Sequence, residues 1–148
     1  MSCLIDTNVI LRFFDMADPR NPEIVQSLDA ITKASEETYV CAQVLIEYWV
    51  VATRPREANG LGLSISDADR NLDRIEALFP CLPEPPDIGG RWREIVRQHS
   101  VRGKQAHDAR LAALMQAHGV KHLLTLNSQD FTRYEGIIPL SPAEALSS

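Results

Sequence analysis

Four acids are spaced so that they could share one site: Asp6, Glu47, Asp108 and Asp130. Asp6 closes the short apolar run Leu4-Ile5 and is followed at once by Thr7 and Asn8. Carboxylates gathered in one pocket repel one another and rise in pKa unless a cation compensates them. Mg²⁺ and Mn²⁺ prefer oxygen ligands, keep several waters and commonly use a few carboxylates together with substrate phosphates. Such a cation polarises a phosphate oxygen and activates a water for in-line attack. Zinc fits poorly, because His99, His107, His118 and His122 share no ligand spacing with the acids, and the cysteines form no cluster.

The elements that must position these acids read as strands separated by helices. Leu4-Ile5 forms a first strand, with Thr7 or Asn8 capping a helix through Val9, Ile10, Leu11, Phe13 and Phe14. Asn21 caps a second helix with Pro22 in its first turn. Thr38 to Cys41 is a second strand, and a helix from about Gln43 to Thr53 follows, ended by Arg54-Pro55. That helix is apolar nearly all round, which predicts burial, and Glu47 is its one charge.

After a glycine-containing loop, Ser66 with Asp69 resembles a capping box for a helix through Leu78. Phe79 to Leu82 contains Pro80 and reads as an edge strand, and Asp87 caps a helix carrying Trp92 and Ile95. A small-residue helix spans about Lys104 to His118 and stops at Gly119. Leu123 to Leu126 is a strand, Asn127 to Phe131 a turn or short helix, and Ile137 to Leu140 a last strand. Residues 1–144 read as one domain, with a frayed tail over 145–148.

This alternation predicts an α/β fold with a mainly parallel sheet. Such sheets bind ligands beyond the carboxyl ends of their strands. Asp6 and Asp130 follow strands directly, and Glu47 and Asp108 lie in the opening turns of helices that begin at that edge. All four map to one rim.

Composition narrows the class. The 148 residues suit one domain, and 45% apolar with 24% charged residues is an ordinary globular mixture. No apolar run approaches the roughly 18 residues of a membrane helix, and the N-terminus meets Asp6 too early for a secretory signal. Cys3, Cys41 and Cys81 are odd in number, lack a CxxC spacing and each lie in an expected strand, which suits buried reduced thiols in a cytoplasmic protein. A net charge of -5 argues against a passive polyanion binder. Residues 1–90 nevertheless hold 7 basic and 15 acidic residues, whereas residues 91–148 hold 8 basic and 5 acidic. Arg91, Arg93, Arg97, Arg102, Lys104 and Arg110 are therefore candidate phosphate contacts, or simply a solvated helical face.

Each acid taken alone has a plainer reading. Asp6 suits a helix cap, Asp108 a first-turn acid favoured by the helix dipole, and Asp130 a turn residue. Glu47 is hardest to dismiss, since a charge within an apolar helix is costly without a partner. Asp15, Asp18, Glu36, Glu37, Asp67 and Asp73 fall in loops or on helix faces and need no special role.

The chain resembles PIN-domain nucleases in Asp6-Thr7-Asn8, in Glu47 within its apolar helix, in Gly103 to Ala109 (Gly-Lys-Gln-Ala-His-Asp-Ala) and in Thr125 to Phe131 (Thr-Leu-Asn-Ser-Gln-Asp-Phe). Thr53-Arg54-Pro55 and Asn59 to Ser64 resemble the VapC-like ribonucleases, bacterial toxins of that family. The motifs are weak singly and strong in this order, and they span nearly the whole chain. The resemblance implies a three-layer α/β/α fold, Mg²⁺ or Mn²⁺ dependence, RNA phosphodiester cleavage, a small antitoxin partner and a homodimer. It implies Asp6 and Asp108 as principal metal ligands, Glu47 binding metal or orienting a water, and Asp130 completing the site. Thr7, Asn8 and Thr125 would then hold the carboxylates by hydrogen bonds. Many members carry an acid where Asn127 stands, so the fourth ligand here is Asp130 directly or through water.

Two other function classes stand against an endoribonuclease. One is a PIN-like RNA- or protein-binding module with little or no catalysis. The other is a different carboxylate-rim protein. A haloacid-type phosphatase wants Asp-x-Asp after strand one, where this chain has Asn8. A phosphorelay receiver wants an acidic pair near the first strand and a lysine after the last. Neither a GxGxxG nor a Walker lysine loop follows any strand.

Overall fold

The computed structural model describes residues 2–34 and 37–147. Five short strands form one sheet: β1 (Ser2–Ile5), β2 (Glu37–Cys41), β3 (Cys81–Leu82), β4 (His122–Leu124) and β5 (Ile138–Leu140). Seven helices connect or flank them: α1 (Thr7–Phe13), α2 (Asn21–Lys33), α3 (Ala42–Thr53), α4 (Ile65–Leu78), α5 (Ile88–Gln98), α6 (Gln105–His118) and α7 (Pro142–Ser147). Every strand pair is parallel, in the order β3-β2-β1-β4-β5.

That order fixes where a site can lie. The chain runs outward from β1 through β2 to β3, then crosses back to β4 beside β1. The direction of winding therefore reverses between β1 and β4, and the crevice outside their carboxyl ends is the switch point where such sheets bind ligands. Right-handed crossovers place α1 to α4 on one face, where they pack on one another, and the mutually packed α5 and α6 on the other. The result is a three-layer α/β/α sandwich. The final helix α7 packs on α2.

The core sits between these layers. Cys3, Leu4, Ile5, Val40, Cys41, Leu123 and Leu124 are wholly buried, as strands covered on both faces must be. From α6, Ala109 and Leu111 to Met115 join them, the alanines allowing close approach to the sheet.

Several local expectations shift. Asp6, rather than Thr7 or Asn8, caps α1, its side chain accepting from the Thr7 amide. Asn21 is the first residue of α2 rather than its cap, and its amide donates to the carbonyls of Arg12 and Phe13 at the end of α1. Ser64 caps α4 by accepting from Asp67 N, so the helix starts ahead of the expected Ser66. Asp87 stands at the cap position of α5, but its carboxylate pairs with Arg91.

Helix α3 is amphipathic rather than buried all round. Val44, Tyr48 and Ala52 face the core, while Ile46 is 64% and Val50 51% exposed. Cys3 and Cys41 are buried as expected, but Cys81 is exposed because β3 is an edge strand. Helix α7 runs through Ser147, with Ala145 buried. Ser148 and Glu36 lie outside the described residues. No described helix is long and apolar enough to cross a membrane.

Candidate active site

Asp6 stands where β1 becomes α1. Its amide donates to Leu124 O at 3.0 Å, which continues the β1–β4 ladder one residue past the strand. Its carboxylate turns back to accept Thr7 N at 2.8 Å on Oδ1, and Thr125 Oγ1 at 2.7 Å with Asn8 Nδ2 at 3.4 Å on Oδ2. Thr125 is wholly buried just beyond β4, held by Thr125 N donating to Leu140 O. Asn8 also accepts from Leu126 N at 3.1 Å. The switch point is thus stitched across its crevice by polar groups from both sides.

Glu47 is delivered by α3, half-buried on the flank between the buried stripe and the exposed Ile46 and Val50. Thr7 Oγ1 donates to its Oε1 at 3.3 Å. The buried Tyr48 beside it accepts from Asn71 Nδ2 at 2.8 Å, which ties α3 to α4 and fixes the helix rotation. Asp108 comes from the first turn of α6 and is half-buried. Asp6, Glu47 and Asp108 line one cavity of about 530 Å³ at the carboxyl rim, together with Asn8, His107 and Asn127.

Asp130 sits in a short 3₁₀ turn, Ser128–Phe131, and opens onto a neighbouring depression with Asn127 and Gln129. Its charge still reaches the cavity. Burial pushes the Asp6 carboxyl up to about 6, against the lowering by its bonds from Thr125 and Thr7, with Glu47 and Asp130 adding to the rise. Burial likewise pushes Asp108 up to about 7, reinforced by Asp6, Asp130 and Glu47 and opposed by Arg133. The four acids therefore share one electrostatic environment.

They do not form the close-set quartet that the sequence suggested. Among the described residues no three His, Cys, Asp or Glu side chains are near enough to hold a metal ion together. Hydrogen bonds orient two of them, and the other two stand apart by position. Asp6 is turned toward Thr125 and Thr7, Glu47 toward Thr7, Asp108 faces them across the cavity, and Asp130 lies beyond Asn127. The donor chemistry nonetheless fits a hard divalent cation. It is carboxylate oxygen, two of its groups hold protons above the ordinary range, and such an ion accepts one or two carboxylates with waters filling the rest.

The proposed RNA-contacting residues divide in two. Arg91 pairs with Asp87, and Arg110 with Glu84 at 2.5 Å and Gln43 at 3.1 Å. Arg93, Arg97, Arg102 and Lys104 are exposed and make no ion pair among the described residues. Sequence reasoning missed Arg133, which bonds to Gln105 Oε1 and lowers the Asp108 pKa. It also missed Gln43, whose Nε2 donates to His107 O at 2.8 Å. Arg133 lies only three residues past Asp130, a proximity that pattern reading could have used.

The family model for the PIN domain matches residues 3–137. The chain belongs to the PIN-domain family. Solved structures agree on the fold. VapBC2 from Rickettsia felis, bound to a DNA fragment from its promoter, matches this PIN domain with TM-score 0.71 at 15% identity, over 95% of this chain and 98% of that one. VapBC-1 from nontypeable Haemophilus influenzae matches with TM-score 0.67 at 14% identity, over 97% and 99%. FitAcB from Neisseria gonorrhoeae gives 0.65 at 21% identity, over 95% and 98%. No curated protein sequence matches this PIN domain significantly.

Proposed function

We propose that this PIN domain is an endoribonuclease dependent on Mg²⁺ or Mn²⁺, acting as the toxin of a type II toxin–antitoxin pair. The observation that carries the reading is the meeting of Asp6, Glu47 and Asp108 around one cavity at the switch point, with Asp6 and Asp108 both pushed up in pKa. Perturbed carboxylates in a cleft mark a functional site. The two-part names of the solved neighbours accord with the resemblance of Thr53-Arg54-Pro55 and Asn59 to Ser64 to VapC-like toxins. They bring a small antitoxin into the reading. Its binding surface would be the apolar groove of Leu45, Ile46, Trp49, Val50 and Leu72 beside the acids.

Asp6 and Asp108 would hold the cation, with Glu47 orienting a water on it and Asp130 reaching it through water. When bound, the cation lowers the pKa of an attacking water and polarises the scissile phosphate. The rest is work for the chain. Thr125 Oγ1 and Thr7 N fix the Asp6 oxygens, Asn8 braces Thr125, and Thr7 Oγ1 aims Glu47. Arg93, Arg97, Arg102 and Lys104 would meet the phosphate backbone, and a homodimer would present two such faces.

Purified protein incubated with RNA tests this directly. Cleavage is expected with Mg²⁺ or Mn²⁺, and is lost with chelator and in Asp6→Asn. Cleavage surviving both treatments removes the mechanism. For the toxin role, a short adjacent reading frame whose product co-purifies is expected, and a solitary harmless gene discards that part alone.

The second reading, a PIN-like RNA- or protein-binding module with little or no catalysis, draws on the wide spacing of the acids. RNA binding without cleavage under any divalent ion would favour it.

A further inference from the structure

A second cavity, of about 310 Å³, opens beside the acidic one and is lined by Ile88, Gly89, Trp92, Ala106, His107 and Arg110. His107 lines both, so the two spaces are neighbours across one side chain. The walls are fixed. Trp92 Nε1 donates to Ala106 O at 2.8 Å, which holds the indole of α5 against the first turn of α6. Arg110 is held by Gln43 Oε1 and Glu84 Oε2, and Gln43 in turn bonds His107 O.

Gly89 and Gly90 occupy the opening turn of α5, where glycine is a poor helix former. Neither adopts a left-handed φ, and a Cβ at either position would meet nothing within 4 Å. Neither the backbone conformation nor the packing therefore requires a glycine. Gly89 lines the same cavity as Trp92, and the space beside its Cα is open.

We propose that this cavity is a base-binding subsite, in which an unpaired nucleobase flanking the scissile phosphate of single-stranded RNA stacks on Trp92 in the space Gly89 leaves. The proposal rests on the nuclease reading and adds to it a defined pocket for one base next to the acids. An aromatic platform beside a fixed guanidinium suits a base's π-face, and recognition of splayed-out bases by stacking is how single strands are commonly held. A duplex cannot place a base there, because its bases are stacked on one another.

The test uses short single-stranded RNA and the same RNA with one base at a time replaced by an abasic unit. In Trp49→Phe protein, Trp92 is the one remaining indole, since the chain has 2 tryptophans. With Ca²⁺ present, intact RNA should quench its fluorescence saturably. Removal of one particular base should weaken binding by about tenfold or more. Adding Gly89→Leu, which fills the cavity and favours the helix, should abolish that base dependence. In Mg²⁺, the KM for cleavage by the otherwise native chain should show the same pattern.

Equal binding of intact and abasic RNA at every position overturns the subsite, as does base dependence that persists in Gly89→Leu. Cleavage without base dependence sinks the subsite and leaves the nuclease standing. Base-dependent quenching without cleavage does the reverse.

Discussion

Thr125 Oγ1 donates to Asp6 Oδ2 at 2.7 Å across a separation of 119 residues. The bond joins the residue after β4 to the residue after β1, the two strands between which the winding of the sheet reverses. It is a bond from a buried hydroxyl to a buried carboxylate, so it both orients the acid and restrains the rise in its pKa. Asn8 Nδ2 at 3.4 Å and Asn127 N at 3.1 Å lie against the same hydroxyl.

Thr125→Val keeps the shape and removes the donor. Loss of an outer partner of a metal-binding carboxylate typically costs 10–100-fold in affinity or activity. The variant is expected to fold, to bind Mn²⁺ about tenfold or more weakly and to cleave RNA correspondingly slowly. Titration calorimetry and a cleavage time course check both.

Without a cation, Asp6 and Asp108 should make stability fall as pH rises. Their folded pKa values, about 6 and about 7, stand above the ordinary 3.8. The folded chain therefore binds more protons than the unfolded one between about pH 4 and 7, and the unfolding free energy drops across that window. Asp6 alone contributes about 3 kcal/mol at most. Urea unfolding in chelator from pH 5 to pH 8 should show this fall, superimposed on the titration of the other carboxylates. The difference curve between wild type and Asp6→Asn isolates it, and saturating Mg²⁺ should flatten it.

Gly60 has no room for a side chain. A Cβ there would lie 1.9 Å from Arg54 O, a backbone atom that cannot swing aside. Gly60 N also donates to Pro55 O at 2.9 Å, so the loop after α3 is closed tightly at this point. Gly60→Ala is expected to cost about 1–3 kcal/mol, read as a lowered denaturation midpoint.

Ser64→Ala should cost about 1 kcal/mol by removing the cap on Asp67 N, and Ser66→Ala should cost little. A larger loss at Ser66 would contradict the observed start of α4.

The parallel fold and the convergence of Asp6, Glu47 and Asp108 were legible in the sequence for one physical reason. In a βαβ chain, strand ends and helix starts share an edge, so placement needs only the alternation of elements. The details that escaped depend on finer facts. Ser64/Asp67 and Ser66/Asp69 have the same spacing, so pattern alone cannot choose the register. The exposure of Ile46 and Val50 depends on which side of α3 its neighbours leave uncovered, which composition does not record. Cys81 is exposed through its place on the sheet edge, a matter of strand order. The offset of Asp130 and the approach of Arg133 to Asp108 arise from the turn after β4, whose path few sequence signals constrain.

Titration of the intact chain with Mn²⁺ at pH 7.5 tests the role of the rim acids most directly, with wild type, Asp6→Asn and Asp108→Asn compared by calorimetry. Saturable binding in the wild type that falls at least tenfold in each variant is the predicted result. Binding that is absent, or equal in all three, would contradict it.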